Sequence, residues 1–309
     1  MTITVLSDVI VPNSVILAGV SGTQSRQNLR TKNQGGYASV NVVRDVTLRT
    51  YQLGIAPMSV SAWADLEGIY EVTDAGAFGM LLQDPKDSSI TTAQGALIGY
   101  MAGVENGTFG FGNGTALYGL RKLYTASGST RKSARAITRP KGTPALLRNG
   151  SPVTIGVSAG NASLSAAPVY ATFVADDTRG LNSITVGATT QVALTSAMSG
   201  PLLVGGKLWL QGVGGTAGPV LNNLAHTITN IAANVYTLSV NTAGLTETHG
   251  SAAAHKYPQP TDTLTFSSDF YVPVQFRDDD LQWELVVAGA RDSRIVSGPS
   301  VYLEEIREA

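Results

Sequence analysis

The sequence predicts a mainly-β protein: a β-sandwich-like domain with one packed helix, a second small β-domain and an inserted β-module. Three observations carry this. Apolar and polar residues alternate in short runs, as in Val272, Val274 and Phe276, which is the period of a half-buried strand. Turn-forming residues punctuate those runs, with 34 Gly and 13 Pro among 309 residues. The best helical spacing is confined to one stretch, Ser59 to Glu71.

In chain order, Val9 to Val11 and Val15 to Ala18 read as short strands separated by Pro12. Gln24 to Gly36 is polar and reads as a loop. Tyr37 to Leu53 returns to β character, with Ala38, Val40 and Val42 and then Val46, Leu48 and Thr50 at alternate positions. Pro57 and a capping Ser59 or Ser61 introduce the helix. Trp63, Leu66 and Ile69 or Tyr70 give it one apolar stripe. Gly68 weakens it by about 1 kcal/mol. Ala77 to Leu82 is a strand closed by Asp84-Pro85.

Composition shifts near Ser88. Ala93 to Gly112 is Gly-rich and carries Leu97, Tyr100 and Val104. Leu117 to Tyr124, Ser133 to Thr138, Ala145 to Arg148 and Val169 to Phe173 read as strands, and Asn149-Gly150 as a hairpin turn. A second shift at Asp176-Asp177 opens a charge-poor stretch, Thr178 to Tyr257, which holds all three histidines. Five strands are expected there: Ser183 to Val186, Gln191 to Leu194, Lys207 to Gln211, Thr227 to Ile231 and Val235 to Val240. Gly212 to Gly215 and Ala232 to Asn234 are their turns. Pro258 to Pro260 ends the stretch.

From Leu264 strands return. Pro273 predicts an edge position for Val272 to Phe276. Leu281, Trp283, Leu285 and Val287 share an apolar face opposite Gln282 and Glu284. Gly298 to Ile306 repeats the pattern around Val301 and Leu303. The expected domains are 1–90 with 262–309, then 91–177, and an insertion at 178–258. Insertion is physically cheap when a module's ends lie close together.

Composition also limits function. Charged residues make up 14% of the chain and the formal net charge is -1. A domain soluble on its own carries charge on about a quarter or more of its surface, so surface covered by partners is expected. The 21 Lys and Arg form no long basic run, which predicts no specific nucleic-acid binding. Arg121-Lys122 and Arg131-Lys132 with Arg135 read as solvated loop ends. Without cysteine there are no disulfides or thiolate metal sites. Met1 to Pro12 lacks the basic start of a signal peptide. No run approaches eighteen apolar residues, so no membrane-spanning helix is expected.

The motifs that resemble chemistry fail on context. Gly156-Val-Ser-Ala-Gly160 spells a nucleophile elbow around Ser158. That device needs a helix after the turn, and Asn161 to Ala167 is short, Ser-rich and stopped by Pro168. Phe109-Gly-Phe-Gly-Asn-Gly114 leads into strand-like sequence, where a dinucleotide site needs a helix. Asp278-Asp-Asp280 is contiguous, while calcium loops alternate their oxygens, so it reads as a solvated turn. His226, His249 and His255 lack a third metal ligand. The reading is no catalytic, cofactor-binding or metal residue, and no enzyme.

Both ends of the chain resemble a family of phage distal tail proteins, conserved in long-tailed phages and gene transfer agents. The likeness lies in Asp8 to Pro12, Arg44 to Gly54, the helix around Ala62 to Tyr70, and Gly79 to Asp87 with its Asp84-Pro85. Gly112-Asn-Gly-Thr-Ala-Leu-Tyr118, then Arg121 to Tyr124, is similar to the family's Gly-Asp-Gly start of a second β-domain, with Asn113 in place of Asp. Ile137 to Pro140 and Leu147 to Gly150 fit the strands that follow. Phe270 to Phe276 with Asp280-Leu281 resembles the closing motif. Gln211 to Gly215, Leu221-Asn222 and Ile231 to Leu238 resemble a small β-module inserted in phage tail proteins.

The resemblance implies a structural virion protein of the phage tail tip, made in the host cytoplasm. It implies a homo-hexameric ring with the tail tube protein above and the hub or tail-tip protein below. The inserted module would decorate the outside or hold a neighbouring fibre or hub protein. No cofactor and no membrane partner is implied. The alternative is a carbohydrate-binding or receptor-contacting tail module, with Trp63, Tyr100, Trp209 or Trp283 as stacking aromatics. Alternating apolar faces predict core packing for most of these. A hydrolase, glycan-degrading or built on Ser158, is a third reading.

Overall fold

In the computed structural model, which describes residues 3–44, 46–290, 294–298 and 301–308, the two ends of the chain interleave in one sheet. Asp45, Pro299 and Ser300, which fall in stretches read above as β-structure, lie outside the described residues. The sheet has six strands in the order Val5–Ile10, Gly79–Leu82, Val272–Phe276, Val301–Glu305, Leu48–Leu53 and Val20–Ser25. The first pair is parallel and the others antiparallel. Two C-terminal strands therefore occupy its centre.

Pro273 is on an inner strand, not an edge. Its carbonyl accepts from the Ile306 N–H at 2.9 Å, so the missing proline N–H would point the same way. That side is where the ladder with Val301–Glu305 runs out, since paired residues begin at Val274. The substitution of a donor by proline costs little at the end of a ladder.

Three further expectations fail in this unit. Asn13–Leu17 is a short helix, where a strand was expected at Val15 to Ala18. The polar stretch after Gln24 is a β-ribbon: Asn28–Lys32 pairs with Ala38–Val42 as a separate two-stranded sheet. In Leu48–Leu53 the inward residues are Arg49, Tyr51 and Leu53, opposite in parity to the expected Val46, Leu48 and Thr50. Arg49 is accommodated on the inner face because Asp84 and Asp87 neutralise it.

The helix spans Val60–Val72 and buries Ala62, Trp63 and Leu66. Ser59 caps it by accepting from the Ala62 N–H at 3.3 Å, an arrangement worth about 1 kcal/mol. Gly68 faces open space and interrupts no packing. Among the described residues, no helix is long and apolar enough to cross a membrane.

The chain leaves this discontinuous unit, 1–88 with 270–309, for a second unit, 89–269. The chain returns to the first unit at Phe270, after Leu264–Phe270 has paired into the second unit's sheet. That ten-stranded sheet has the main order Ser151–Pro152, Pro140–Arg148, Leu264–Phe270, Gly95–Met101, Leu117–Thr125, Tyr170–Phe173 and Ala162–Leu164. Asn149 and Gly150 have φ of 53° and 78°, the left-handed pair that a two-residue hairpin requires. Lys122 is buried on Leu117–Thr125, and Arg121 pairs with Glu105. Neither is a solvated loop end.

The same unit contains a closed barrel of six strands, one more than expected: Asp177–Thr185, Thr190–Leu194, Val235–Leu238, Leu224–Ala232, Lys207–Gln211 and Ala253–Lys256. Its interior holds Val192, Leu194, Leu208, Leu210, Ile228, Tyr236 and Leu238. The sixth strand closes the ring and removes the free edges. Its Ala-Ala-His-Lys sequence has neither β-branching nor clear alternation, which hid it. Asp177 pairs directly with Lys256, so the barrel's first and last residues are neighbours.

Candidate functional sites and exposed surfaces

Two arginine-centred clusters organise the polar chemistry. In the first unit, Arg49 is 5% exposed. Its guanidinium bonds Asp84 Oδ2 at 2.8 Å and pairs with Asp87. The Tyr51 hydroxyl donates to the same Asp84 oxygen at 2.9 Å, and Asp84 Oδ1 accepts from the Lys86 N–H at 2.8 Å. Glu305 takes the Arg49 backbone N–H at 2.9 Å. Burial first, then the Asp84 charge, push the Tyr51 hydroxyl well above the usual phenol range. Tyr51 is thus a neutral donor. A cleft of about 280 Å³ opens beside Arg49, Tyr51 and Asp84. Asp84 and Asp87 engage the Arg49 guanidinium and Glu305 its backbone N–H, so the cluster ties three remote segments together.

In the second unit, Arg148 grips both flanks of the barrel. It binds Asp176 in a fork, at 2.6 and 2.7 Å, and Asp262 at 2.7 Å. Asn149 Nδ2 adds a bond to Asp262 at 2.7 Å. Burial acts to raise the Asp262 pKa; bonds from Arg148, the Gln259 backbone and Asn149 outweigh it and leave the carboxyl lower than usual. The Gly112-Asn-Gly114 turn seats the same junction. A Cβ on Gly112 would strike the Pro258 and Gln259 carbonyls, and one on Gly114 would strike the Lys207 side chain. Asn113 Nδ2 donates to the Asn106 carbonyl and its Oδ1 accepts from the Thr115 hydroxyl, at 2.7 and 2.6 Å. The glycines therefore serve close packing, as turns and not as a phosphate cradle. Sequence reasoning missed both arginines. The available signal for Arg49 was its alternation with Tyr51 and Leu53.

The remaining candidates separate. Ser158 is exposed in a turn between Ser151–Pro152 and Ala162–Leu164, so a strand follows where an elbow needs a helix. The histidines bond within the barrel: His226 to the Leu221 carbonyl at 2.8 Å, His249 to Glu247 at 2.8 Å and His255 to Thr178 at 2.9 Å. Among the described residues, no three potential ligands are grouped to hold a metal. Trp63 is in the core. Trp209 packs edge-on against Tyr257, and Tyr100 against Tyr170. Trp283 is 62% exposed, against the expected buried face.

That exposure is shared. Leu285, Val286, Val287 and Ile295 are open to solvent on a three-stranded sheet of Glu284–Val287, Ile295–Ser297 and Met58–Ser59, and Trp283 immediately precedes its outer strand. Leu29, Tyr37, Val40, Val42 and Val43 are exposed on and beside the ribbon. Asp278 to Asp280 form an exposed bend, as the solvated-turn reading expected. The chain matches no known protein family and no curated protein.

Proposed function

We propose that the protein is a structural component of a phage tail tip, forming a ring that joins the tail tube to the hub. The observation that carries this reading is the pair of apolar strand surfaces on the first unit, around Val40 and Val42 and around Trp283 and Leu285. Soluble monomers rarely expose large contiguous apolar patches, and such patches mark interaction surfaces. The low charge of the chain points the same way. A closed ring repeats one interface without producing fibres. The tail-protein resemblance of the terminal segments supplies the setting, and six copies is the number it implies. The polar clusters support an architectural role, because both arginines tie distant segments together and neither faces a nucleophile. The receptor-contacting reading rests on one exposed tryptophan, Trp283, which belongs to the apolar strand surface itself.

Negative-stain microscopy of the purified protein and of particles tests the proposal. A closed ring at the end of the tail tube is expected, and particles lacking the protein should carry tubes without tips. Complete tails assembled without it, or a chain that stays monomeric in solution and in particles, would overturn the reading.

A further inference from the structure

The β-ribbon carries charge of one sign. Residues 20–44 contain Arg26, Arg30, Lys32 and Arg44 and no carboxylate. Arg26 and Arg44 brace the ribbon's base, bonding Thr47 at 2.8 Å and Ser25 at 3.0 Å. Arg30 and Lys32 lie further out and have no ion-pair partner among the described residues. The pairing register puts Arg30 opposite Val40 and Lys32 opposite Ala38, with Asn28 opposite Val42. Directly opposed residues share a face, so one face of the ribbon combines two cations with Ala38, Val40 and Val42.

A second surface of the same unit has the inverse character. Residues 278–290 contain Asp278, Asp279, Asp280 and Glu284, with Arg277 before them and Arg294 bonding the Gly289 carbonyl at 3.1 Å, so four carboxylates stand beside two cations. Asp278 is held by Arg277 at 3.1 Å; the other three have no cationic partner among the described residues. Leu285 and Val287 stand exposed beside them on the outer strand of the three-stranded sheet, with exposed Trp283 just before it. Ribbon and segment match in charge and in apolar content. Both are exposed in the single chain, so one copy does not satisfy its own pair.

We propose that the cationic ribbon of one copy docks on the acidic-apolar segment 278–287 of a second copy of this chain. This deepens the ring reading and rests on it. The contact joins two different patches, which makes it head-to-tail; such contacts close into rings when the rotation permits. Apolar burial supplies the attraction, while complementary charge fixes partner and orientation.

Native mass spectrometry of the full chain tests this with charge reversal on each side. Arg30→Glu with Lys32→Glu should convert the assembly to monomers, and so should Asp279→Lys with Asp280→Lys. All four substitutions together should restore the assembly. A ring unchanged by either reversal, or no recovery in the combination while each double variant keeps its unfolding temperature, overturns the docking and leaves the ring reading standing. A wild-type chain that is monomeric in solution and in particles overturns both. Should a variant fail to fold, wild-type chains still decide. Carbodiimide coupling in a mixture of isotope-labelled and unlabelled copies should join Lys32 to Asp279, Asp280 or Glu284 across mixed pairs. Absence of that cross-link in the assembled species counts against the docking.

Discussion

The first unit and the barrel are both β-structures, closed in opposite ways. The first unit takes its two central strands, Val272–Phe276 and Val301–Glu305, from the far end of the chain. The barrel is continuous from Asp177 to Lys256, and those two residues face each other across a strand pair. Non-local pairing leaves the first unit incomplete until the whole chain is present. Local pairing lets the barrel form from its own residues, because contacts close in sequence cost less loop entropy. The difference predicts which parts are separable.

Two deletions give the largest expected contrast. Ending the chain after Pro260 removes both central strands, so the first unit should lose its cooperative unfolding transition. Removing 178–255 and joining Asp177 to Lys256 through a short glycine linker should preserve that transition. Paired strand residues lie only about 5 Å apart, which such a linker spans. Calorimetry of the two variants checks this. A cooperative first unit in the truncated chain would break the comparison.

The two arginines repeat the contrast on a smaller scale. Arg49→Ala leaves the buried Asp84 and the half-buried Asp87 without the Arg49 cation, and removal of one partner from the buried Arg49–Asp84 pair costs about 3–5 kcal/mol. The side chains around Arg148 are more open, 20% exposed for Arg148 and 14% for Asp262. Arg148→Ala should therefore cost less, roughly 1–3 kcal/mol, and should loosen the barrel's attachment while its apolar core persists. Denaturant unfolding measures the first effect. Hydrogen exchange at Asp177–Thr185 and Ala253–Lys256 reads the second. Equal losses for both variants would mean that the junction is as integral as the first unit's core.

Much of this fold was legible in the sequence because it depends on local pattern. The helix followed from Ser59 and the spacing of Trp63 and Leu66, and the hairpin from Asn149-Gly150. Lys207–Gln211 reads correctly because its alternation is strict. Local pattern failed where distant partners decide the outcome. Arg49 reverses the apparent parity of its strand because Asp84 and Asp87 neutralise it inside. Trp283 to Val287 has the alternation of a buried strand, yet Trp283, Leu285 and Val287 are exposed among the described residues. Asn28–Lys32 is polar enough to look like a loop, yet its strand partner lies only six residues further on, at Ala38. No site residue was expected; the two arginine clusters were invisible because their acidic partners stand far away in sequence.

Acid should separate the regions most gently. All three histidines lie in the barrel and none in the first unit. Burial, chiefly, holds the His226 pKa below its ordinary value; the Leu221 carbonyl opposes this and the Lys207 charge adds to it. Above the unfolded value of about 6.5 neither state is protonated at this position. Below it the unfolded chain takes up a proton that the folded barrel resists, so stability falls with pH until the folded value is reached. His255, lowered by burial, acts in the same direction. His249 acts in the opposite direction: its bond to Glu247 raises its pKa, so its contribution is present below about 6.5 and fades as pH rises through the folded value. Asp262 adds a lower window, since its depressed pKa stabilises the junction above about 3.9 and loses that effect as pH falls through the folded value. Unfolding followed from pH 7.5 to 5 should show the barrel weakening while the first unit holds steady, and His226→Gln should flatten the barrel's response. A first unit that weakens in parallel over that interval would show that the two regions unfold as one, despite their opposite ways of closing.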